Sequence, residues 1–362
     1  MASIQSIFSS LEERKLVDHE ALNVKQNKVF KDIIKCRTKN NGFHSDVCEK
    51  CGDIKIYYNS CKNPNCPKCQ GIDRALWVDK QKYYSLNIPY YHIVFTLPDI
   101  LNPLCLLAPS FMYNLLFECS CQTLMELSLD DNYLGAKIGF TSVLHTWGSN
   151  LSLHPHLHCV VTSGGVDSKE KWKAKEKFFL PVRVVSKLFK GKYLSLLKER
   201  FIPKDENEFK DIIDEAYKKD WIVYIKDPLK NPDSVIDYLS RYTHRIAVSN
   251  GRIVDHKNGK VSFKYKDYKD NSKIKIMELE EKEFLRRYLM HIPPKNFCRI
   301  RHYGILANAY KSIRFIKIRE ITNTPKKEDK YTRNPLDILI RYFKKDIRIC
   351  ECCGSFRHPL LE

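Results

Sequence analysis

The chain has 362 residues, of which 43% are hydrophobic, and its 62 basic and 43 acidic side chains leave a formal net charge of +19. This length and composition exclude a disordered chain and allow two or three domains with at least one substantial core. The positive excess favours a polyanionic partner, nucleic acid ahead of an anionic membrane surface, because no basic amphipathic helix stands beside an apolar anchor.

The first 85 residues predict a helical lead-in followed by a small metal-stapled module. Six cysteines fall between Cys36 and Cys69 in a stretch with little periodic apolar pattern, and such a segment needs a staple to fold. The N-terminus has no signal-peptide pattern, and Asn and Pro interrupt the most apolar stretch, residues 100–117. We therefore expect a cytoplasmic protein, whose thiols stay reduced and available to metals.

Beyond residue 85 the pattern indicates an α+β domain over residues 86–318 and then a basic C-terminal tail, 319–362, with a C-x-x-C pair. The predicted strands are 91–97, 138–147, 156–162 and 221–225, and the predicted helices are 110–127, 231–247 and 280–290. A hairpin is expected across Asn258-Gly259, and Gly164-Gly165 is expected to end a strand. Residues 322–334 are polar and predict a linker.

Two C-x-x-C pairs form the strongest metal signal. Cys48 and Cys51 are one pair, Cys66 and Cys69 are the other, and fourteen residues separate them. Each pair can direct two thiolates at one ion, and four thiolates suit tetrahedral Zn²⁺. We predict that these four cysteines hold a structural zinc ion. The alternative is a set of reduced core thiols.

Other cysteines and histidines could also bind metal, and the two C-x-x-C pairs do not decide their roles. Three candidates could form part of a second zinc site or replace members of the first: Cys36, His44 and Cys61. Late in the chain, Cys350-x-x-Cys353 has no obvious partner pair. It could be half of a site completed by His358 or Cys352, or a pair of free thiols.

Three histidines alternate in the run H-P-H-L-H at residues 154–158. Alternate residues of a strand face the same side, so His154, His156 and His158 would share one face. A His-hydrophobic-His pair can place two imidazoles on one divalent ion. We predict that His156 and His158 are the ligands, and that His154 contacts DNA or packs locally. The alternative is a set of structural histidines.

Two imidazoles do not complete a metal site, so a third ligand must come from elsewhere in the chain. His145 is the first candidate because it lies near the end of the preceding predicted strand; His92 and His244 are the alternatives. The open positions of a bound Mg²⁺ or Mn²⁺ would take phosphate oxygens, and the ion would act as a Lewis acid.

The helix predicted after Asn231 carries Tyr238 and Tyr242, four residues apart and so on one face. Arg241 and Arg245 form a second pair of the same spacing and could contact DNA. A tyrosine hydroxyl with a pKa near ~10 is a weak nucleophile, so it needs a polarised phosphate and nearby cations. An amphipathic helix with half-buried tyrosines is the alternative interpretation.

Together these motifs resemble one family, the IS91-type rolling-circle insertion-sequence transposases, which are double-tyrosine HUH endonucleases with an N-terminal zinc-binding domain. The matching stretches follow the family's order over roughly residues 30–310: C-E-K-C-G (48–52), N-S-C-K-N-P-N-C-P-K-C-Q (59–70), H-I-V-F-T-L-P (92–98), L-H-T-W-G (144–148), H-P-H-L-H (154–158), Y-L-S-R-Y-T-H-R-I-A-V-S-N (238–250), K-Y-K-D-Y (264–268) and I-R-H-Y-G-I-L-A (300–307). One departure is Pro64-Asn65, where the family's Arg-His is expected.

The resemblance implies an HUH-type domain whose central antiparallel sheet is flanked by helices. It implies that His156 and His158 bind the catalytic metal and that Tyr238 and Tyr242 are paired nucleophiles. The implied reaction nicks and rejoins single-stranded DNA at element ends through a 5′-phosphotyrosine, beside a host helicase and in association with the nucleoid. No nucleotide-binding G-x-x-x-x-G-K-[ST] loop is present in the sequence, which fits exchange of phosphoester bonds without ATP.

Two other functions remain open at this point. A plasmid rolling-circle replication initiator or relaxase would share the same chemistry, although the cysteine module and the Y-L-S-R-Y-T-H-R run favour a transposase. A non-catalytic zinc-containing DNA-binding regulator would explain the cysteines and the charge, but it would leave the histidine strand and the tyrosine pair as coincidence.

Overall fold

The computed structural model describes residues 2–175, 180–229, 234–237, 240, 246–268, 270–326 and 330–360, with the backbone alone at 227, 229 and 311–313. The α+β fold predicted from the sequence is confirmed, since antiparallel sheets flanked by helices join a cysteine-rich module. The helices are α1 Ile4–Glu13, α2 Val24–Lys35, α3 Gln70–Tyr84, α4 Asn102–Leu107, α5 Pro109–Leu129, α6 Val182–Arg200, α7 Glu206–Lys218, α8 Glu281–Met290, α9 Asn308–Ile321 and α10 Pro335–Phe343.

The strands form three sheets. They are β1 Phe43–Cys48, β2 Ile54–Tyr58, β3 Tyr90–Thr96, β4 Lys137–Trp147, β5 Leu153–Val166, β6 Trp172–Ala174, β7 Val223–Leu229, β8 Ile253–Lys257, β9 Lys260–Asp267, β10 Lys273–Glu280, β11 Ile300–Gly304 and β12 Arg357–Pro359. The central sheet has the order β11-β4-β5-β3-β7, with β6 paired to β5, and the two small sheets are β12-β1-β2 and β10-β9-β8. No helix in the described part of the chain is long and apolar enough to span a membrane.

One face of the central sheet forms the main core with helices α5, α6 and α7. The side chains of Phe95, Leu144 and Leu157 point to this face and are fully buried. The rings of Phe95 and Phe189 pack edge to face with centroids 4.9 Å apart. Burying a side chain of this size stabilises a fold by about 1.5–3 kcal/mol. This core fixes the position of β4 and β5, which carry three of the predicted metal ligands.

The opposite face of the sheet is polar at one end and apolar at the other. At the apolar end Val143 and Val160 pack with Phe315 of α9 and with Val235. Val235 belongs to a short helical segment, Ser234–Asp237, whose Asp237 forms an ion pair of 2.9 Å with Lys82 of α3. The segment therefore contacts the sheet through Val235 and contacts α3 through Asp237.

The N-terminal helices pack on the second small sheet and on α8. Phe8 stacks on Phe30 with ring centroids 5.1 Å apart and meets Tyr288 of α8 edge to face at 5.2 Å. Phe263 of β9 and Phe284 of α8 extend the same cluster. The helical lead-in is thus joined to residues 246–292 by a common hydrophobic core rather than standing alone.

Several predicted elements differ from those observed. The expectation that Gly164-Gly165 ends a strand is wrong, since β5 continues through both glycines and pairs there with β6. A side chain at Gly164 would collide with the Lys173 carbonyl oxygen, so glycine at this position allows the two strands to approach closely. The predicted hairpin across Asn258-Gly259 is present, and β10 adds an unforeseen third strand. The predicted tail contains α10 and β12, and β12 pairs with β1.

Candidate functional site

Three of the predicted histidines meet on the polar face of the central sheet. His156 and His158 are alternate residues of β5, and antiparallel pairing sets His145 of β4 directly opposite His156. Directly paired residues project from the same face, so all three imidazoles face the same side. One ring nitrogen from each lies within 4.8 Å of the others. Strand alternation and register alone therefore assemble the cluster.

The ring nitrogens of the β5 pair are arranged for a shared ion. His156 Nε2 and His158 Nε2 lie 3.1 Å apart. Two neighbouring ligands at about 2.1 Å from an octahedral ion would be about 3.0 Å apart, so this spacing suits a divalent cation. His156 Nδ1 lies 2.6 Å from the carbonyl oxygen of His154, which requires the proton on Nδ1 and leaves Nε2 as the free lone pair.

Burial keeps the ligand imidazole of His156 neutral. Enclosure by protein atoms lowers its pKa to about 4, and the charges of His154 and His92 act in the same direction, although the His154 carbonyl acts in the opposite one. A neutral imidazole is the form that binds metal. The His156 imidazole is therefore available to a cation throughout the neutral pH range.

His92 orients one of these histidines from the neighbouring strand β3. Its Nε2 lies 2.9 Å from His158 Nδ1, and the two rings are stacked with centroids 5.2 Å apart. Burial and the charge of Lys226 lower the pKa of His92 to about 4. Three histidines were candidates for the third ligand. His145 joins the cluster, whereas His92 contacts His158 Nδ1 instead. His244 lies outside the described residues.

His145 is held by an aromatic wall. Its ring stacks on Trp147 at 4.5 Å between centroids, and Trp147 also contacts the ring of His291. His291 follows α8, and its two ring nitrogens lie 3.2 Å from Thr146 Oγ1 and 3.2 Å from the Leu151 carbonyl oxygen. The end of β4 is thereby fixed to α8, which limits the freedom of the His145 ring.

The predicted nucleophiles and their arginines, Tyr238, Tyr242, Arg241 and Arg245, lie outside the described residues. The neighbouring residues 234–237 and 240 are helical, as the sequence predicts, whereas residues 246 and 247, the predicted end of this helix, are not helical. Val235 packs with Val143, and Val143 is paired with His158 across the sheet. The beginning of this helix thus lies on the same face of the sheet as the histidine cluster. His154 is exposed and its ring lies 5.1 Å from that of His156.

Eight cysteines form two clusters of four, whereas the sequence predicted one zinc site and left a second one open. Cys66 and Cys69 lie with Cys36 and Cys61, and Cys48 and Cys51 lie with Cys350 and Cys353. The predicted grouping of Cys48 and Cys51 with Cys66 and Cys69 differs from this arrangement because β1 and β2 carry the first pair away from α3, whose N-terminus carries the second. His44 joins neither cluster as far as the chain is described; it stacks on Tyr57 at 5.4 Å.

The first cluster has the donor set and spacing of a zinc site. Cys69 Sγ lies 3.5 Å from Cys36 Sγ and 3.6 Å from Cys61 Sγ. In a tetrahedral site with Zn–S bonds of about 2.3 Å, the sulfurs are about 3.8 Å apart, whereas a disulfide needs about 2.05 Å. Hydrogen bonds from the Cys61 and Cys66 thiols lower the pKa of Cys69, which favours the thiolate that zinc requires. This cluster ties the end of α2 to the start of α3.

Two family models match the chain. A model described as "Transposase zinc-binding domain" matches residues 7–97, which include the whole first cluster, and one described as "Putative transposase" matches residues 139–313, which include the histidine run. The matched zinc-binding domain and the cysteine geometry agree on Zn²⁺ as a structural ion of this region.

Two relatives support the same grouping. A protein of Sinorhizobium fredii named "Putative transposase y4qJ" is 37% identical over 367 residues, which cover 97% of this chain and 92% of the relative. The transposase for insertion sequence element IS801 of Pseudomonas savastanoi pv. phaseolicola is 30% identical over 295 residues, 76% of this chain and 69% of the relative. No solved structure matches the chain.

Proposed function

This chain belongs to the IS91-type family of transposases, and we propose that it nicks and rejoins single-stranded DNA at element ends through a phosphotyrosine intermediate. The observation that carries this proposal is the cluster of His145, His156 and His158 on the polar face of the central sheet. A structural DNA-binding protein has no need of three imidazoles converging within ligand distance. The excess of 62 basic over 43 acidic residues supports binding of a polyanion.

We assign the three imidazoles to a divalent catalytic ion, Mn²⁺ or Mg²⁺. Nitrogen donors bind transition-metal ions more strongly than they bind Mg²⁺, so this donor set favours Mn²⁺. When bound, the ion supplies Lewis-acid activation of the phosphate. Two of the ligands come from β5, and His92 is within hydrogen-bond distance of Nδ1 of His158, the ring nitrogen that does not face the other ligands. Outer contacts of this kind fix the direction of a ligand's lone pair.

The proposed nucleophiles are Tyr238 and Tyr242, which the sequence predicts on the helix whose described first residues, 234–237, lie on the histidine face of the sheet. In the reaction a tyrosine oxygen forms a bond to phosphorus while the bond from phosphorus to the 3′ oxygen breaks. The proton that the tyrosine loses is balanced by the proton that the 3′ oxygen gains. One phosphoester replaces another, so the attached 5′ end can be rejoined to a 3′ hydroxyl without ATP. Arg241 and Arg245 would neutralise the phosphate charge.

A cavity on the histidine face supports a single-stranded substrate. Its volume is about 440 Å³, and it lies between α3 and β11, lined by Trp77, Lys80, Gln81, Tyr84, Ile300, His302 and Asn308. Ile300 of the cavity wall pairs with Val143, and Val143 pairs with His158 of the cluster. The wall and the cluster are therefore two strands apart, and each strand spacing is about 4.8 Å. Aromatic rings beside a cation suit an unstacked base, and a base can reach such a cavity only from a single strand.

Covalent capture of DNA tests the proposed function directly. A single-stranded oligonucleotide that carries an element end, labelled on the 3′ side of the cut, is expected to become attached to the protein when Mn²⁺ or Mg²⁺ is present. Electrophoresis under denaturing conditions detects the adduct. The same sequence supplied as a fully paired duplex is expected to give far less adduct, because the tyrosine cannot approach a stacked, paired strand.

A chelator separates the alternative functions. EDTA is expected to abolish the adduct but to leave most of the charge-driven DNA binding intact. DNA binding without any adduct, with every element end tested and with either ion, would instead support a non-catalytic regulator. An adduct that forms only with a plasmid origin would favour a replication initiator or relaxase.

Substitutions in the cavity should weaken single-strand binding. We expect a Trp77→Ala, Lys80→Ala double variant to bind an element-end oligonucleotide about 10- to 100-fold more weakly, since a stacked base contributes about 1–3 kcal/mol. Fluorescence anisotropy at fixed salt measures the affinity. Tyr217→Ala on α7 is a matched control because Tyr217 is an exposed aromatic beside Lys198 and outside the cavity. Equal losses in both variants would contradict a base-binding role for the cavity.

A further inference from the structure

We propose that a second structural zinc ion is held by Cys48, Cys51, Cys350 and Cys353 and that it joins the two ends of the chain into one module. The four thiols come from opposite ends of the sequence, yet their ligand atoms all lie within 4.8 Å of one another. The matched zinc-binding family model ends at residue 97, so it does not include the C-terminal pair. The inference is independent of the proposed tyrosine chemistry.

The sulfur spacing is that of a metal site. Cys48 Sγ lies 3.4 Å from Cys353 Sγ, and Cys51 Sγ lies 3.6 Å from Cys350 Sγ. Both separations connect the N-terminal pair to the C-terminal pair, as expected for ligands around one centre. Four sulfurs on a tetrahedral ion with bonds of about 2.3 Å would be about 3.8 Å apart. Four thiolates favour zinc over Mg²⁺, Ca²⁺ or Mn²⁺, which prefer oxygen donors.

The two pairs have the same local backbone. The sequences C-E-K-C-G (48–52) and C-E-C-C-G (350–354) match at four of five positions. In the first, the Gly52 amide donates to the Cys48 carbonyl at 2.8 Å; in the second, the Gly354 amide donates to the Cys350 carbonyl at 2.9 Å. Both glycines have φ near +70°, at 70° and 74°, which a side chain would disfavour. Each turn therefore points its two thiols in one direction, as a metal-binding knuckle does.

The first amide of each turn is bonded alike as well. The Cys48 amide donates to the Asp53 carbonyl at 3.0 Å, and the Cys350 amide donates to the Ser355 carbonyl at 2.7 Å. Because the contacts in both turns fall at equivalent positions, the two turns are structurally equivalent halves. Each half supplies two ligands, and a tetrahedral ion requires four. Neither pair completes a site without the other.

A buried arginine supports thiolates at this site. The Arg357 side chain is only 1% exposed, and it bonds Asp53 through a carboxylate oxygen and through the carbonyl. Its Nη2 also lies 3.4 Å from Cys350 Sγ. Four thiolates on Zn²⁺ carry a net charge of −2, and the buried Arg357 guanidinium beside Cys350 Sγ offsets part of this charge.

Strand pairing holds the two halves in register. In the β12-β1-β2 sheet Cys48 is paired with Arg357, and Val47 with His358. An ion pair of 2.7 Å between Lys55 of β2 and Glu351 joins the N-terminal strands to the C-terminal cysteine turn. Residues 344–356 lie between α10 and β12 and have few buried apolar side chains, so a bound metal ion would stabilise this segment where a hydrophobic core does not.

Cys352 is the matched control for the ligands. It lies between the C-terminal ligands and is exposed, and within the described parts of the chain the one other group of possible ligands that contains it is formed with Asp53 and Cys350. That alternative is poorer in thiolates, and its carboxylate already bonds Arg357. A serine at position 352 should therefore leave the zinc content unchanged.

Zinc content measured by mass spectrometry tests the proposal. The purified full chain is compared with Cys350→Ser, Cys353→Ser and with Cys352→Ser, all at equal protein concentration. We expect the double variant to lose one zinc ion per chain and the control to lose none. Comparison between variants removes any contribution from metal at the histidine cluster. Equal zinc in the double variant and the wild type would overturn the proposal, as would loss of the ion from Cys352→Ser.

Cobalt substitution keeps the proposal testable if the serine variant folds poorly. Cys353→His retains four donors but replaces one sulfur with nitrogen. We expect this variant to keep the wild-type metal content and to shift part of the cobalt absorption from an all-sulfur to a three-sulfur, one-nitrogen site. Cobalt absorption unchanged by this substitution would place the ion elsewhere and overturn the assignment.

Discussion

A Tyr238→Phe, Tyr242→Phe double variant is expected to form no covalent adduct with single-stranded DNA, a loss of about 10⁴-fold or more, because removing a nucleophile leaves only binding and electrostatic effects. Phenylalanine retains the ring and its packing but lacks the attacking oxygen. Both positions are changed together because either hydroxyl could attack. Denaturing electrophoresis of protein with a labelled oligonucleotide measures the adduct.

Single variants and a third tyrosine make the experiment decisive. Each single variant is expected to retain one cleavage step but to lose strand transfer that needs two. Tyr224→Phe is the matched control, because Tyr224 lies on β7, is 53% exposed, and pairs with Val94 on the histidine face. Normal adduct formation by the double variant would refute the assignment, and loss of the adduct in Tyr224→Phe alone would transfer the role to that residue.

Much of the central sheet could be predicted from local sequence pattern. Strands β3 and β4 are long runs of apolar and β-branched residues, and α5 has a helical apolar pattern, so their positions agree with the predicted ranges within a few residues. Strand β10 was missed because its residues, such as Ile274 and Ile276, are exposed and alternate with lysines. An exposed strand depends on pairing with its neighbour, and the sequence predicts β9 in the hairpin but does not reveal that β10 pairs with it.

The candidate site was predictable where its parts are close in sequence. His156 and His158 are two residues apart, and His145 is brought opposite His156 by one short connection between adjacent strands. The cysteine clusters were not predictable to the same degree, because their partners lie up to about three hundred residues away and spacing rules apply only within one knuckle. The repeated C-E-x-C-G sequence was the available signal for the pairing of the chain ends.

A His156→Ala, His158→Ala double variant tests the metal site separately from DNA binding. We expect adduct formation to fall by about 10³-fold or more, since a Lewis-acid ion stabilises the transition state by several kcal/mol. Affinity for single-stranded DNA should change by less than about fivefold, because backbone charge dominates it. His154→Ala is the control for loss of a neighbouring imidazole that is not a predicted metal ligand, and it should retain most of the adduct formation. His92→Ala should lower adduct formation about 10- to 100-fold through its contact with His158. Equal loss of binding and cleavage in the double variant would contradict a catalytic role.

The pH dependence of metal binding distinguishes a prepared site from a solvent-exposed pair of histidines. Burial lowers the pKa of His156 and of His92 to about 4, so protons compete with the metal only as the pH falls toward that value. The affinity for Mn²⁺, measured by calorimetry, should therefore be almost the same at pH 8 and at pH 6. Exposed histidines with a pKa near ~6.5 would lose affinity steeply over the same range. A steep loss in the wild type would mean that the imidazoles are not enclosed as described, and that metal binding has to rearrange them first.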